Sequence, residues 1–424
     1  MRGVLALEPY LLALILALFW ISPNHYQPLL LFIPIFIARI VVYRRLLTFT
    51  PLHLILIAWL ILCVINYFAA PFSLWSWILT RPLMGVALVG CLVEIARQHG
   101  HTDRLIAVTI GFSLLIAALG LGSSQWTSKS DLLKPLIDVL PTLRNFPGAI
   151  RGFNVNEIGG AMAWLIPLMG AIAITAWRGR PVGARGWYAT IAFVTLALAL
   201  FIGQSRLAIF GVIGAMGILI LLLIPANRWR YLALGVLIVF TVIEVVFFLG
   251  VFSPDQDLAG RDEASLSGRF AVWQAAIEVV QDHPWTGVGM NMFRTRAVRA
   301  IYPVEGYATQ VLPHAHNAWF QIGTDLGLPG VILFTIWQAM LLWMLYQIWR
   351  TGDGKARTVA AGLCGAFLAH GVFSLGDAIT LWDRFIFLYW WLIGLTAAQY
   401  VITVQLARAT VSAPIPITGQ TQTA

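Results

Sequence analysis

Apolar residues run along this chain in long blocks divided by short polar connections. The blocks cover 9–21, 29–43, 52–70, 76–96, 104–122, 158–177, 187–202, 207–225, 231–252, 329–349, 358–376 and 385–406. Most reach the roughly 17 to 25 residues that a helix needs to cross hydrocarbon, whereas barrel strands would alternate in shorter segments. The pattern predicts an all-α polytopic membrane bundle of about twelve helices. One stretch breaks the rhythm: "PHAHNAWFQIGTDLGLPG", residues 313–330, sets two histidines and an amide before a short helical run and a Gly-Leu-Pro-Gly stop. Residues 318–326 read as about three turns of helix, with Gly327 as the C-cap and Pro329 opening the next span.

Composition strengthens that reading. Hydrophobic residues make up 59% of the 424 and charged residues only 11%, with a mean hydropathy of +0.83, which excludes a soluble globular fold. Cys63, Cys91 and Cys364 are odd in number and each falls in an apolar block, so they read as packing residues without a disulfide framework. Arg2 precedes a first block that holds Glu8 and Pro9 and lacks a small-residue cleavage site, which predicts a retained helix.

The net charge of +9 is distributed unevenly. With the N-terminus inside, Arg44 and Arg45, Arg97 and Arg104, "RGRPVGARG", "NRWR", and Arg350 with Lys355 and Arg357 all fall in inside loops, as the positive-inside rule requires. Nucleic acid is set aside, because the inside loops explain most of the surplus and no aromatic-basic repeat appears. The opposite face then receives two insertions, 123–156 and 252–328, and residues 412–424 read as a disordered cytoplasmic tail on a single 1–424 transmembrane domain. In the second insertion, Phe270, Trp273, Ile277 and Val280 recur at helical spacing and predict an amphipathic helix lying on the membrane or on the bundle.

Basic residues remain on that outer face. Arg206 follows Ser205 in "GQSR", Arg269 follows Ser267 in "SLSGRF", and Arg151 precedes a span that Asn154 or Asn156 can cap. A cation at a helix start is mildly disfavoured unless an anion lies between them, and backbone N–H groups with a guanidinium fork suit phosphate. A snorkelling anchor explains any one of them as well; three on one face favour an anion site. Arg294, Arg296 and Arg299 read as a solvated basic face. His316, at the start of the short helix, is placed where the dipole favours neutral imidazole, which can act as a general base. Asn317 reads as the cap or as a substrate contact, and His314 as a loop residue or a second site group. A zinc site from His314, His316 and Asp325 lacks the usual spacings, and "DQD" at 255–257 reads as a solvated loop.

"HNAWFQIGTDLGLPG" resembles the His-Asn, nine residues, Gly, two residues, Gly pattern of the O-antigen ligase and polymerase superfamily of bacterial membrane glycosyltransferases. "GRFAVWQAAIEVVQDHPWTGVGMNMF", "GQSR" and "RGFNVNEIGG" are similar to its external-loop, Ser-Arg and pre-helix segments. The resemblance covers roughly the last two-thirds of the chain. It implies an inner-membrane enzyme that transfers a glycan from undecaprenyl diphosphate to an acceptor hydroxyl on the periplasmic side, inverting the anomeric centre without metal or other cofactor. Lipid A-core is the first expected acceptor, in lipopolysaccharide biosynthesis; a lipid-linked repeat or a protein hydroxyl are the alternatives. Carried onto this chain, His316 becomes the base and Arg206 and Arg269 the groups that neutralise the leaving diphosphate, with Arg151, Asn317 and His314 as further substrate contacts. Phe210 stands where ligases often carry Leu after the Ser-Arg turn. A transporter or flippase of lipid-linked anions is the rival reading; it would show paired halves and mid-membrane charges, whereas Arg39, Glu94, Glu244 and His370 show no such symmetry.

Overall fold

The computed structural model describes the chain apart from residues 22–25, 73–75, 127–132, 147–148, 180, 249–265, 305–313 and 406–424. The "DQD" run and the 412–424 tail lie outside the described residues. Helices follow in the order α1 (Arg2–Ala6), α2 (Glu8–Ile21), α3 (Phe32–Tyr43), α4 (Pro51–Ala69), α5 (Thr80–His99), α6 (Asp103–Ser123), α7 (Lys134–Ile137), α8 (Val155–Arg178), α9 (Ala184–Gly203), α10 (Arg206–Leu223), α11 (Arg228–Phe248), α12 (Leu266–Asp282), α13 (Arg296–Ile301), α14 (Ala318–Thr351), α15 (Gly354–Phe373) and α16 (Ile386–Tyr400).

Each apolar block of the sequence coincides with a helix, and among the described residues no strand forms beyond two isolated bridges. Among the described residues eight helices are long and apolar enough to cross a membrane: α4, α6, α8, α9, α10, α14, α15 and α16 with its continuation to Gln405. Two shorter apolar helices occupy Glu8–Ile21 and Gln27–Tyr43. Apolar side chains such as Leu54, Ile61 and Phe68 on α4 and Val236, Val239 and Val242 on α11 remain exposed on the outside of the bundle, as lipid contact demands.

The middle of the bundle is α8, packed against α9, α10 and α15, while α16 lies on α5 and α14 on α4. Burial across α8 reaches 83% because its apolar face is continuous, and Ala161, Ala163, Ala171 and Ala173 let neighbouring backbones approach. Cys63 and Cys91 are buried free thiols and Cys364 is partly buried. At one end, Arg39 donates to Glu8 and, at 3.2 Å, to the carbonyl of Cys91, which ties α2, α3 and α5 together.

Polar chemistry gathers at the other end. The starts of α5, α8, α10 and α14, and the 374–385 connection between α15 and α16, all end there, and α12 packs on α14 above them. The face of α12 that packs differs from the expected one. Val272, Ala275, Ala276 and Val279 are buried, whereas Phe270 is 55% exposed and Trp273 and Ile277 lie at the margins. Small and β-branched side chains allow the closer helix contact, so the bulky residues are displaced to the flanks.

Candidate active site

The opening histidines stand on a short, tightly specified stretch. Asn317 caps α14, accepting from the backbone N–H groups of Trp319 at 2.9 Å and Phe320 at 3.2 Å, while its Nδ2 donates to the Leu375 carbonyl at 3.0 Å. Its amide is therefore committed at both ends. Ala318 N–H donates to the Ser374 carbonyl at 3.0 Å, so the helix start is sewn to the 374–385 connection. His316 takes a left-handed backbone conformation, φ 50°, immediately before the cap. As expected, α14 breaks at Gly327, φ 68° and ψ −168°, and resumes through Pro329.

That stitching brings a carboxylate to the histidines. Asp377 Oδ1 lies 3.4 Å from His316 Nδ1 and 3.4 Å from His314 Nε2, with all three side chains nearly buried. The His316 backbone N–H donates to His314 Nδ1 at 3.1 Å, which leaves the proton of a neutral His314 on Nε2, facing Asp377. Burial pushes the His314 imidazole down to about 4, so it is neutral at pH 7. For Asp377, burial acts against ionisation, but His316, His314 and the Ala378 N–H outweigh it and hold the carboxyl down to about 2. Among the described residues neither ring nitrogen of His316 meets hydrogen-bond geometry: Nδ1 has Asp377 Oδ1 at 3.4 Å as a charge partner, and Nε2 has no ion-pair or hydrogen-bond partner. A buried imidazole with a carboxylate behind one nitrogen and nothing on the other is arranged to accept a proton.

Both predicted arginines approach the same connection. Arg269 Nη1 lies 3.2 Å from where a Cβ of Gly376 would stand, and Leu207 Cδ1 lies 2.5 Å from that point. Arg206, the neighbour of Leu207, is within Coulombic reach of Arg269 and of Glu244. The structure thus brings His314, His316, Asn317, Arg269 and Arg206 to one end of the bundle. Asn154, rather than Asn156, caps α8, through the N–H of Asn156 at 2.8 Å. Ser205 occupies the N-cap position of α10 without a side-chain cap bond. Arg151 stands exposed on the loop ahead of α8, and among the described residues its side chain makes no hydrogen bond or ion pair that joins it to this cluster.

The Gly-x-Gly run has a mechanical role. Val288 N–H donates to the Thr324 carbonyl at 2.8 Å, and Phe72 N–H to the Val288 carbonyl at 3.2 Å. Gly287, φ +59°, would place a Cβ 2.2 Å from the Thr324 carbonyl oxygen, and Gly289, φ +111°, one 2.0 Å from that of Phe72. Only glycine permits both the backbone angle and the approach. Asp325 lies beneath, accepting from Asn291 N–H at 2.9 Å, Gln321 Nε2 at 2.9 Å and Trp382 Nε1 at 2.7 Å. It fastens three segments together, and Asp377, not Asp325, is the carboxylate grouped with the two histidines.

Several site groups went unseen in the sequence. Asp377 and Asp383 lie in "GDAITLWDRF", a polar break between two apolar blocks on the outer side, and that break was the signal available. Arg294 departs from the solvated-face expectation: it pairs with Asp383 at 3.2 Å and is 26% exposed, whereas Arg296 is exposed. The ligand atoms of His314, His316 and Asp377 lie within 4.8 Å of one another, so the same three residues could hold a metal ion by distance alone.

Residues 191–335 match the family described as O-antigen ligase. The match runs from α9 into α14 and contains Arg206, Arg269, His314 and His316, while Asp377 falls outside it. The chain is also 22% identical over 305 residues to a protein of Idiomarina loihiensis titled "Probable peptidoglycan glycosyltransferase FtsW", covering 67% of each. The family match thus carries the histidines and both arginines, while the 374–385 connection that brings Asp377 to them lies beyond it. The match over residues 191–335 supports the O-antigen ligase and polymerase superfamily for this chain.

Proposed function

We propose that the protein transfers a glycan from undecaprenyl diphosphate to an acceptor hydroxyl, with lipid A-core as acceptor, at the periplasmic end of an inner-membrane bundle. The observation that carries this reading is the convergence of His316, Asp377 and Arg269 on the 374–377 connection. That end lies opposite the loops rich in Lys and Arg, which supports its placement outside.

The acceptor oxygen attacks the anomeric carbon, and His316 Nε2 takes the hydroxyl proton. The bond from the anomeric carbon to the diphosphate oxygen breaks with its electron pair on the diphosphate, and attack opposite the leaving group inverts the centre. Asp377 holds the imidazole by Nδ1 and stabilises the imidazolium that forms, as a carboxylate does behind other histidine bases. Arg269 and Arg206 meet the charge that grows on the departing diphosphate, where fixed cations act mainly in the transition state.

Purified protein given a lipid-linked glycan and separate acceptors tests the reading. Product on lipid A-core supports ligation. Lengthened lipid-linked glycan would reassign the protein to polymerisation, and movement of the lipid without covalent transfer would refute the enzyme reading. His316→Ala is expected to abolish turnover in a protein that still folds; near-normal activity would remove His316 from the mechanism.

A further inference from the structure

A second cationic group lies near His314. Arg294 pairs with Asp383, whose other oxygen accepts the Thr380 N–H at 2.7 Å. Arg81, Arg384 and Glu157 lie within Coulombic reach of this pair and of one another. Asp383 and Arg294 are in turn within reach of His314. The group gathers three guanidinium groups around Asp383 and Glu157, with Asp377 as a third carboxylate within reach of Glu157.

Arg384 has no direct carboxylate partner of its own among the described residues. Its guanidinium sits 5.7 Å from the ring centres of both Trp20 and Phe153, held by two cation–π contacts. Its Nη1 is buried with no hydrogen-bond partner, and so is the Nε of Arg294. Buried donors left unmade in this way are costly. Two of them, in a guanidinium-rich group partly open to solvent through Arg294 and Asp383, suit anionic ligand oxygens.

We propose that Arg384 and Arg294, backed by Arg81, form an anion subsite for the acceptor: a phosphate or carboxylate carried on the acceptor glycan docks there and delivers its neighbouring hydroxyl to His316. This rests on the transfer reaction proposed above.

Binding can be measured without turnover. Full-length protein in nanodiscs, titrated with glucose 6-phosphate, glucuronate and glucose, should bind one or both acids and not the neutral sugar. Arg384→Gln and Arg294→Gln should each weaken that binding by roughly 10- to 100-fold, the worth of a hydrogen bond to a charged group, and Arg269→Gln should leave it in place. Phosphate bound more tightly than glucuronate identifies a phosphorylated acceptor, and the reverse an acidic sugar. Equal binding of glucose, or loss in Arg269→Gln but in neither of the others, overturns the subsite. In transfer assays, phosphatase treatment of the acceptor should raise KM, and Arg384→Gln should raise KM for the untreated acceptor to that same level with kcat unchanged. An equal KM increase for both acceptor forms would reduce Arg384 to a structural role. Absence of transfer in the wild type, with acid binding intact, would sink the transferase reading and not the anion site.

Discussion

His316 Nδ1 faces Asp377 Oδ1 at 3.4 Å across two connections that are 61 residues apart in sequence. The contact gives the imidazole a fixed direction and a charge to balance the proton that it receives. Removing the charge while keeping the shape should therefore impair chemistry more than binding. In Asp377→Asn, kcat is expected to fall by roughly 10²- to 10⁴-fold, the range that general-base catalysis contributes, with KM little changed. Steady-state kinetics on the purified variant check this, and a rise in KM at constant kcat would place Asp377 in substrate binding.

In the proposed reaction Arg269 and Arg206 act on one leaving group, and each repels the other until that group is present. Arg269→Gln and Arg206→Gln should each reduce kcat by about 10²- to 10³-fold, a few kcal/mol of transition-state stabilisation. The double variant should lose less than the product of the two, because each single substitution already removes the stabilisation that the pair shares. Multiplicative losses would show that the two arginines serve separate groups.

Much of this site could be read from hydrophobic spacing and helix-terminus chemistry. The Asn317 cap, the Gly327 break and the gathering of Arg206 and Arg269 follow from local rules, in which polar residues at the ends of apolar blocks report their own positions. Asp377, Arg384 and Arg81 escaped because their meaning depends on which helices are neighbours. Nothing near Asp377 in sequence says that the start of α14 will be hydrogen-bonded to Ser374 and Leu375. The face of α12 was misjudged for a related reason. Large apolar residues at helical spacing mark an apolar side, but the closeness of α14 selected the small ones for contact.

The glycine pair and Asp325 support a prediction about stability. Alanine at Gly287 or Gly289 would impose a disfavoured backbone conformation, costing roughly 1–3 kcal/mol, besides driving a methyl into a carbonyl oxygen. Asp325→Asn exchanges an acceptor oxygen for an amine facing a donor, at about 1–3 kcal/mol for each buried donor left unpaired. All three variants should show lowered thermal midpoints in detergent and lost transfer. Unchanged midpoints would mean that the 287–289 loop is not held to α14 as described.

A metal at His314, His316 and Asp377 would make a different prediction, since their ligand atoms lie within 4.8 Å of one another. If His316 is a base, a bound cation would occupy the nitrogens that the reaction needs. Dialysis against a chelator should therefore leave turnover unchanged, and added zinc should inhibit. Loss of activity on chelation, restored by a stoichiometric metal and accompanied by metal in the purified protein, would move the chemistry to that ion.

The last prediction concerns acid. In the unfolded chain His314 takes up a proton near pH 6.5, whereas burial makes the folded protein resist protonation until about pH 4. Between those values the unfolded state binds more protons, so stability must fall as pH falls, by roughly 3 kcal/mol once the window is crossed. Asp377, held down to about 2 against an ordinary 3.8, extends the decline below pH 3.8, because its ionised form is then the one being lost. Glutamine at 314 cannot titrate. The difference in thermal midpoint between wild type and His314→Gln should therefore shrink or reverse as pH drops from 6.5 to 4, and parallel curves over that range would show that the protonation of His314 does not oppose folding.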